Sequence, residues 1–240
     1  MFKLLVLFYT LSSALTLGQS NRYELWTALE RFSQTYGGGR DDAGLNSVLV
    51  EGQITQGIDQ YDFILRKQRP NSIRYMQSRS GTSITFGYNG SSGWQLTSGD
   101  DGKEVRTLNK SEIAILREEA DFEGPLLRNF ESYSNRIRLV RSDKINNEPV
   151  RVIEIDRINQ QTIRYYVSEE RNYILMRELF NSKGETILTT YYRDYRLINN
   201  LPFAFEVENF VGEERVSSAQ ISKVEVNHGI LSFYFEKPND

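Results

Sequence analysis

The sequence predicts a mainly β protein with some helix (α+β): a single large antiparallel sheet with helices on one face. Three observations carry this. Beyond Arg136, turn-forming clusters recur at short, even intervals: Asn146-Asn147-Glu148-Pro149, Asn159-Gln160-Gln161, Glu169-Glu170-Arg171-Asn172 and Lys183-Gly184. The short runs between them read as strands. In the last stretch, Phe203, Phe205 and Val207 alternate with Ala204, Glu206 and Glu208, which gives a strand one apolar and one wet face. Helical periodicity is confined to a few stretches, the clearest being Leu25, Ala28, Leu29, Phe32 and Tyr36.

The chain opens as a targeting segment. Lys3 supplies a positive charge, Leu4 to Tyr9 an apolar core, and Thr16 and Gly18 small residues at cleavage-compatible spacing. Residues 1–18 are expected to be a signal peptide cut near Gly18, and 19–240 a single domain. The apolar run is short for a bilayer span. Asn21 is placed to cap a helix from about Arg22 to Tyr36, with Trp26 flanking its apolar face and Gly37-Gly38-Gly39 stopping it.

Strands follow at Val48–Gln56 and Tyr61–Lys67, turning at Gly57-Ile58-Asp59, then at Ile73–Gln77, Ser83–Tyr88 and Gly93–Thr97, with Asn89-Gly90 a strong hairpin signal. Gly99-Asp100-Asp101-Gly102 marks another turn. A second helix is expected after Ser111, read as its cap, with Ile113, Leu116 and Ala120 on one face. Pro125 then starts a short third helix bearing Leu126, Leu127 and Phe130. The final meander runs from Thr186 to Pro238. Its Thr- and Tyr-rich run Ile187–Tyr195 turns at Asn199-Asn200, Pro202 opens the next run, Gly212 separates Val216–Val226, and His228-Gly229 leads into Ile230–Phe235.

Composition excludes several functions. A net charge of −3 with mixed signs argues against nucleic acid, whose phosphates need a basic surface. The absence of Cys removes thiol catalysis, thiolate metal sites and a lipid-modified N-terminal Cys, so no stable membrane anchor is expected. His228 is the sole His, and beside Gly229 it reads as a turn residue. The carboxylate pairs Asp100-Asp101, Glu118-Glu119 and Glu169-Glu170 are sequence neighbours, which point to opposite faces of a strand and do not converge as acid and base. Asp41-Asp42 lacks the spaced carboxylates of a calcium loop, and the glycines from Gly90 to Gly93 are not followed by the helix a nucleotide site needs. No catalytic residue, metal site or cofactor is predicted.

The chain is instead rich in Tyr and Phe, 14 and 13 in number, and the helices are too few to cover so long a sheet. A curved sheet with helices across its mouth would leave an apolar cavity. Here a resemblance enters. Lys67-Gln68-Arg69-Pro70-Asn71-Ser72-Ile73-Arg74-Tyr75, Tyr88-Asn89-Gly90-Ser91-Ser92-Gly93-Trp94 and Phe122-Glu123-Gly124-Pro125-Leu126-Leu127 resemble the bacterial outer-membrane lipoprotein carriers, the LolA-like family. Tyr192-Arg193-Asp194-Tyr195, Leu201-Pro202-Phe203, Val224-Glu225-Val226-Asn227 and Phe235-Glu236-Lys237-Pro238 are similar to the broader group. The C-terminal half is longer than in the short carriers.

The resemblance implies a curved, incomplete antiparallel β-barrel with helices across its concave face. It implies a periplasmic carrier, not an enzyme, that holds lipid or lipoprotein acyl chains and exchanges them with inner- and outer-membrane transfer partners. The residues expected at such a cavity or its lid are Trp94, Phe86, Ile113, Leu116, Leu126, Phe130, Tyr192 and Phe205. Arg69, directly before Pro70, matches the Arg that latches the lid in the carriers. Two other readings stand beside this one: an envelope sensory or regulatory module of the same fold that binds another protein, and a secreted carboxylate-dependent hydrolase.

Overall fold

The computed structural model describes residues 22–37, 44–121, 126, 136–156 and 161–238. Helix α1 spans 22–35. Six strands follow: β1 (Ser47–Gln56), β2 (Asp59–Gln68), β3 (Ser72–Arg79), β4 (Thr82–Tyr88), β5 (Gly93–Gly99) and β6 (Gly102–Thr107). Helix α2 (Lys110–Ala120) precedes β7 (Ile137–Ile145), β8 (Glu148–Asp156), β9 (Thr162–Ser168) and β10 (Ile174–Phe180). The chain ends with β11 (Thr186–Ile198), β12 (Leu201–Val211), β13 (Glu214–Val226) and a 3-10 turn, Ser232–Phe235. All thirteen strands form one open sheet in the order β6-β5-β4-β3-β2-β1-β13-β12-β11-β10-β9-β8-β7. The expected fold class, an open antiparallel sheet with few helices, is the one found.

Two compact units divide the chain. The first holds α1 and β7–β10. Ala28, Leu29 and Phe32 of α1 are buried, and β8 buries Val150, Val152, Ile153 and Ile155, so both of its faces are covered. Glu154 is the charged exception at 4% exposure. It lies between its cross-strand neighbours Arg138 and Arg164, pairing with both, the Arg164 Nε at 2.5 Å. A buried carboxylate needs such partners. Beside it the Tyr166 hydroxyl donates to Glu178 at 2.6 Å, and burial, with Glu178 second, pushes the phenol up to about 12.

The second unit holds β1–β6, α2, most of β11, and β12, β13 and the C-terminal turn. Its first and last strands are neighbours: β1 pairs with β13 from Val48–Val226 to Gln56–Ser217. Asn227, at a φ of 56°, ends β13 and ties it to the start of β1: its Oδ1 accepts from the Asn46 amide at 2.7 Å and its Nδ2 donates to the Gly44 carbonyl at 3.1 Å. Glu208, also buried, is held on this unit's sheet between Arg193 and Arg215.

Three sequence readings need correction. The cap of α2 is Asn109, not Ser111: Asn109 Oδ1 accepts from the amides of Ser111 and Glu112, while Glu112 returns a bond to the Asn109 amide at 2.8 Å. An Asn three residues before a Glu makes this reciprocal box. The run Ile230–Phe235 contains a 3-10 turn and no strand, although Leu231, Phe233 and Phe235 alternate; the Phe235 carbonyl accepts the Trp94 indole N–H in place of a ladder bond. And β6, whose exposed Lys103, Glu104 and Arg106 hide the pattern, was not foreseen. The expected third helix falls mostly outside the described residues. Leu126 is helical and buried; Phe130 lies outside them.

Candidate functional site

In the second unit the strand register sorts every side chain onto one of two faces, because cross-strand partners share a face and sequence neighbours do not. One face is apolar. Its first rung runs Val226, Val48, Lys67, Ile73, Tyr88, Gly93, and the second Val224, Val50, Leu65, Tyr75, Phe86, Gln95. The third runs Ile221, Gly52, Phe63, Gln77, Ile84, Thr97. On β12 and β11 the same face continues through Val207, Phe205 and Tyr192. The opposite face carries Glu225, Lys223, Glu51, Asp62, Glu206 and Arg193, interspersed with the apolar Leu49, Ile64, Met76 and Leu96.

Many residues of the apolar face are only half-buried: Val50, Ile54, Leu65, Tyr75, Phe86, Val207, Ile221 and Val224 all keep part of their surface. A closed core would leave such positions with almost none.

Helix α2 covers the first end of this face. Ile113 and Leu116 pack with Leu65 against Ile73, Tyr88 and Ala120. Gly93 permits the close approach: a Cβ there would sit 3.0 Å from Ile113 and 3.2 Å from Leu108. The helix is fixed at its N-terminus by the Asn109–Glu112 box, and Arg106 grips Glu112 through Nη2 at 2.7 Å. That ion pair first, and the Asn109 amide second, draw the Glu112 carboxyl down to about 2. Lys67 points to the same side and is half-buried. Burial lowers its pKa, opposed by the charges of Glu119 and Asp121 at the end of α2.

At the other end of the same face lies a cavity of about 380 Å³, lined by Tyr61, Gln77, Arg79, Ser80, Thr82, Ser83 and Ile84. Its mouth is polar. The Arg79 guanidinium pairs with Asp59 and stacks 5.7 Å from the Tyr61 ring centre, and hydroxyl groups surround it. The strip between α2 and the cavity is aromatic, with Phe63 and Tyr75 in ring contact at 6.1 Å. The arrangement can hold a long apolar chain with a polar end. Among the described residues no group of three or more potential metal ligands occurs.

The predicted site residues divide between faces. Phe86, Ile113, Leu116, Tyr192 and Phe205 belong to the apolar side. Phe205 is buried, with Arg196 stacked 4.1 Å from its ring centre. Trp94 does not join them. It is the sequence neighbour of Gly93 and faces the other way, 1% exposed, lying flat over Gly87 and donating Nε1 to the Phe235 carbonyl at 2.9 Å. Arg69 is exposed and donates Nε to the Leu45 carbonyl at 2.7 Å, while its amide bonds the Asn46 carbonyl at 2.8 Å. Sequence reasoning passed over Leu65, Phe63, Tyr61 and Val50, although the alternation Tyr61, Phe63, Leu65 carries the period-two signal.

Protein-family models give no match to this sequence, and no curated protein matches it. Solved structures do match. A Vibrio parahaemolyticus domain named for outer-membrane lipoprotein sorting shares 14% identity over 88% of this chain and 97% of its own, with a TM-score of 0.64. A DUF1329 family protein from Desulfovibrio piger gives 12% identity, the same coverage of both chains and a TM-score of 0.61. A LolA superfamily protein from Nitrosomonas europaea gives 15% identity, again over 88% and 97%, with a TM-score of 0.57. At these identities the likeness concerns fold alone, and it agrees with the open antiparallel sheet and its helices: the chain has a LolA-like fold.

Proposed function

We propose that this protein is a periplasmic carrier that holds the acyl chains of lipids or lipoproteins on the apolar face of its sheet, without catalysing a reaction. The observation that supports this is the apolar side of the sheet: rung after rung of half-buried Val, Leu, Ile, Phe and Tyr, with a helix across one end, while the other side mixes charged residues with Leu49, Ile64, Met76 and Trp94. Each methylene taken from water contributes about 0.8 kcal/mol, so an acyl chain is held by apolar walls with few polar contacts. Movement of α2, or a competing partner, then releases it.

In this reading residues 1–18 are removed on export, 19–240 act as one LolA-like domain, and Arg69 latches the lid. No helix among the described residues is long and apolar enough to cross a membrane. The Vibrio parahaemolyticus domain, named for lipoprotein sorting, has the same fold.

The test is binding of a fluorescent fatty-acyl probe to purified, delipidated protein, with native mass spectrometry to count bound chains. Phe86→Glu and Val207→Glu should each weaken binding at least tenfold, because a carboxylate on the apolar face is left without a partner. Gln53→Glu, on the wet face, should change nothing. Wild-type protein that binds no probe, or equal affinity in all three variants with native circular dichroism, overturns the proposal.

A further inference from the structure

The charged face of the second unit holds one feature that the carrier reading does not use. Arg66 and Arg74 are directly opposite each other on β2 and β3. Like charges in that position destabilise a sheet. Here neither has a carboxylate partner among the described residues. The carboxylates one and two strands away, Glu51 and Glu225, are held by Lys223 at 3.8 and 2.8 Å.

The C-terminal turn holds the two guanidinium groups in place. Arg66 lies 5.2 Å and Arg74 5.8 Å from the Tyr234 ring centre, and Arg74 also lies 5.7 Å from Trp94. Arg74 Nη1 donates to the Tyr234 carbonyl at 3.3 Å, and its Nε is buried with no acceptor. Burial first, and Arg66 second, lower the Arg74 pKa. On the same C-terminal segment two apolar side chains stand in water: Phe233 at 62% exposure, stacked on Tyr234 at 4.5 Å, and Leu231 at 63%.

We propose that Arg66 and Arg74, with Phe233 and Leu231, form a docking site for an acidic segment of a partner protein, one that places a carboxylate beside an apolar side chain. Guanidinium forks held against aromatic rings are pre-set for a carboxylate. An Arg–aromatic cluster with exposed apolar neighbours has the composition of an interface centre. A lipid surface is the weaker fit. Electrostatic membrane docking takes clusters of roughly four to eight basic residues, and this chain has a net charge of −3.

The experiment pans a random dodecapeptide display library on the full-length protein, with counter-selection on the Arg66→Gln variant. Arg66 makes no hydrogen bond to other described residues, so this variant keeps the fold. Arg74→Gln and Phe233→Ser follow, each checked by Trp fluorescence. The expected result is enrichment of Asp or Glu next to large apolar residues. A synthetic copy of an enriched peptide should bind the wild type, lose at least tenfold in affinity with Arg66→Gln and Phe233→Ser, and be unaffected by Arg79→Gln at the distant cavity mouth. Selection without acidic bias, or equal binding to Arg66→Gln, overturns the proposal. So does sedimentation of the wild type, but not Arg66→Gln, with phosphatidylglycerol vesicles, which would make the patch a lipid contact.

Discussion

Replacing Trp94 with Ala separates the two faces of the sheet experimentally. Trp94 is the largest fully buried side chain among the described residues, and Phe235, whose carbonyl accepts its indole N–H, is equally buried. Truncating a buried Trp costs about 3–5 kcal/mol, and the lost hydrogen bond places the change toward the upper end. For a chain of this length each kcal/mol moves the melting temperature by roughly 2–4 °C. A fall of roughly 6–20 °C is therefore expected, read by far-ultraviolet circular dichroism. The acyl-probe affinity, measured well below the new midpoint, should stay within twofold of wild type, because Trp94 faces away from α2. Gly87→Val, whose Cβ would sit 2.2 Å from the Trp94 ring, should reproduce the same pair of results. A variant that melts normally yet loses probe binding would refute the assignment of faces and return Trp94 to the cavity.

Other perturbations probe α2 and the first unit. Glu112 has its folded pKa lowered to about 2, so the stabilisation it gives the start of α2 is present above pH ~4.5 and lost as pH falls toward 2. Hydrogen exchange across Lys110–Ala120 should rise through that window, and Asn109→Ala, at a cost of about 1 kcal/mol, should raise it already at neutral pH. The Tyr166 phenol, raised to about 12, stays protonated in the folded state while the unfolded chain ionises near 10. Stability should fall between those values by up to ~1.4 kcal/mol per pH unit, and Tyr166→Phe should flatten that limb of the stability curve; an identical limb would show the phenol to be solvated. Arg69→Leu should speed exchange in α2 if Arg69 latches the lid. A change confined to the start of β1 would reduce it to a clip on the Leu45 carbonyl.

What the sequence made legible was the alternation. Phe203, Phe205 and Val207 share one face and Glu206 and Glu208 the other, as their order predicted, and Ile113, Leu116 and Ala120 share the face of α2 that meets the sheet. What it could not reveal was which parity of each strand faces the helix. Trp94 was expected at the cavity on the strength of its residue type. The decision rests with Gly93, whose missing side chain admits Ile113, and that fact is tertiary. The C-terminal turn escaped for a similar reason. Leu231, Phe233 and Phe235 are apolar enough for a strand, yet one of them seals Trp94 while the others stand in water. Lys67 shows the converse: an unremarkable Lys in sequence becomes a half-buried cation facing the charges of Glu119 and Asp121 at the end of α2.

The pairing of β1 with β13 bears on how the chain acquires its structure. Val48 finds its partner at Val226, so the ladder that joins the first strand to the last spans nearly the whole molecule. Such remote pairings are slow to form, since the intervening loop must close before any contact rewards it. A chain emerging from its N-terminus can assemble the β1–β6 meander early, but β1 keeps one bare edge until the final strand has arrived. A bare edge of that kind recruits strands from other molecules. Shielding of the nascent meander, or delivery of the whole polypeptide before folding starts, is thus built into the topology. Truncation before residue 214 should yield aggregates in place of a smaller folded protein.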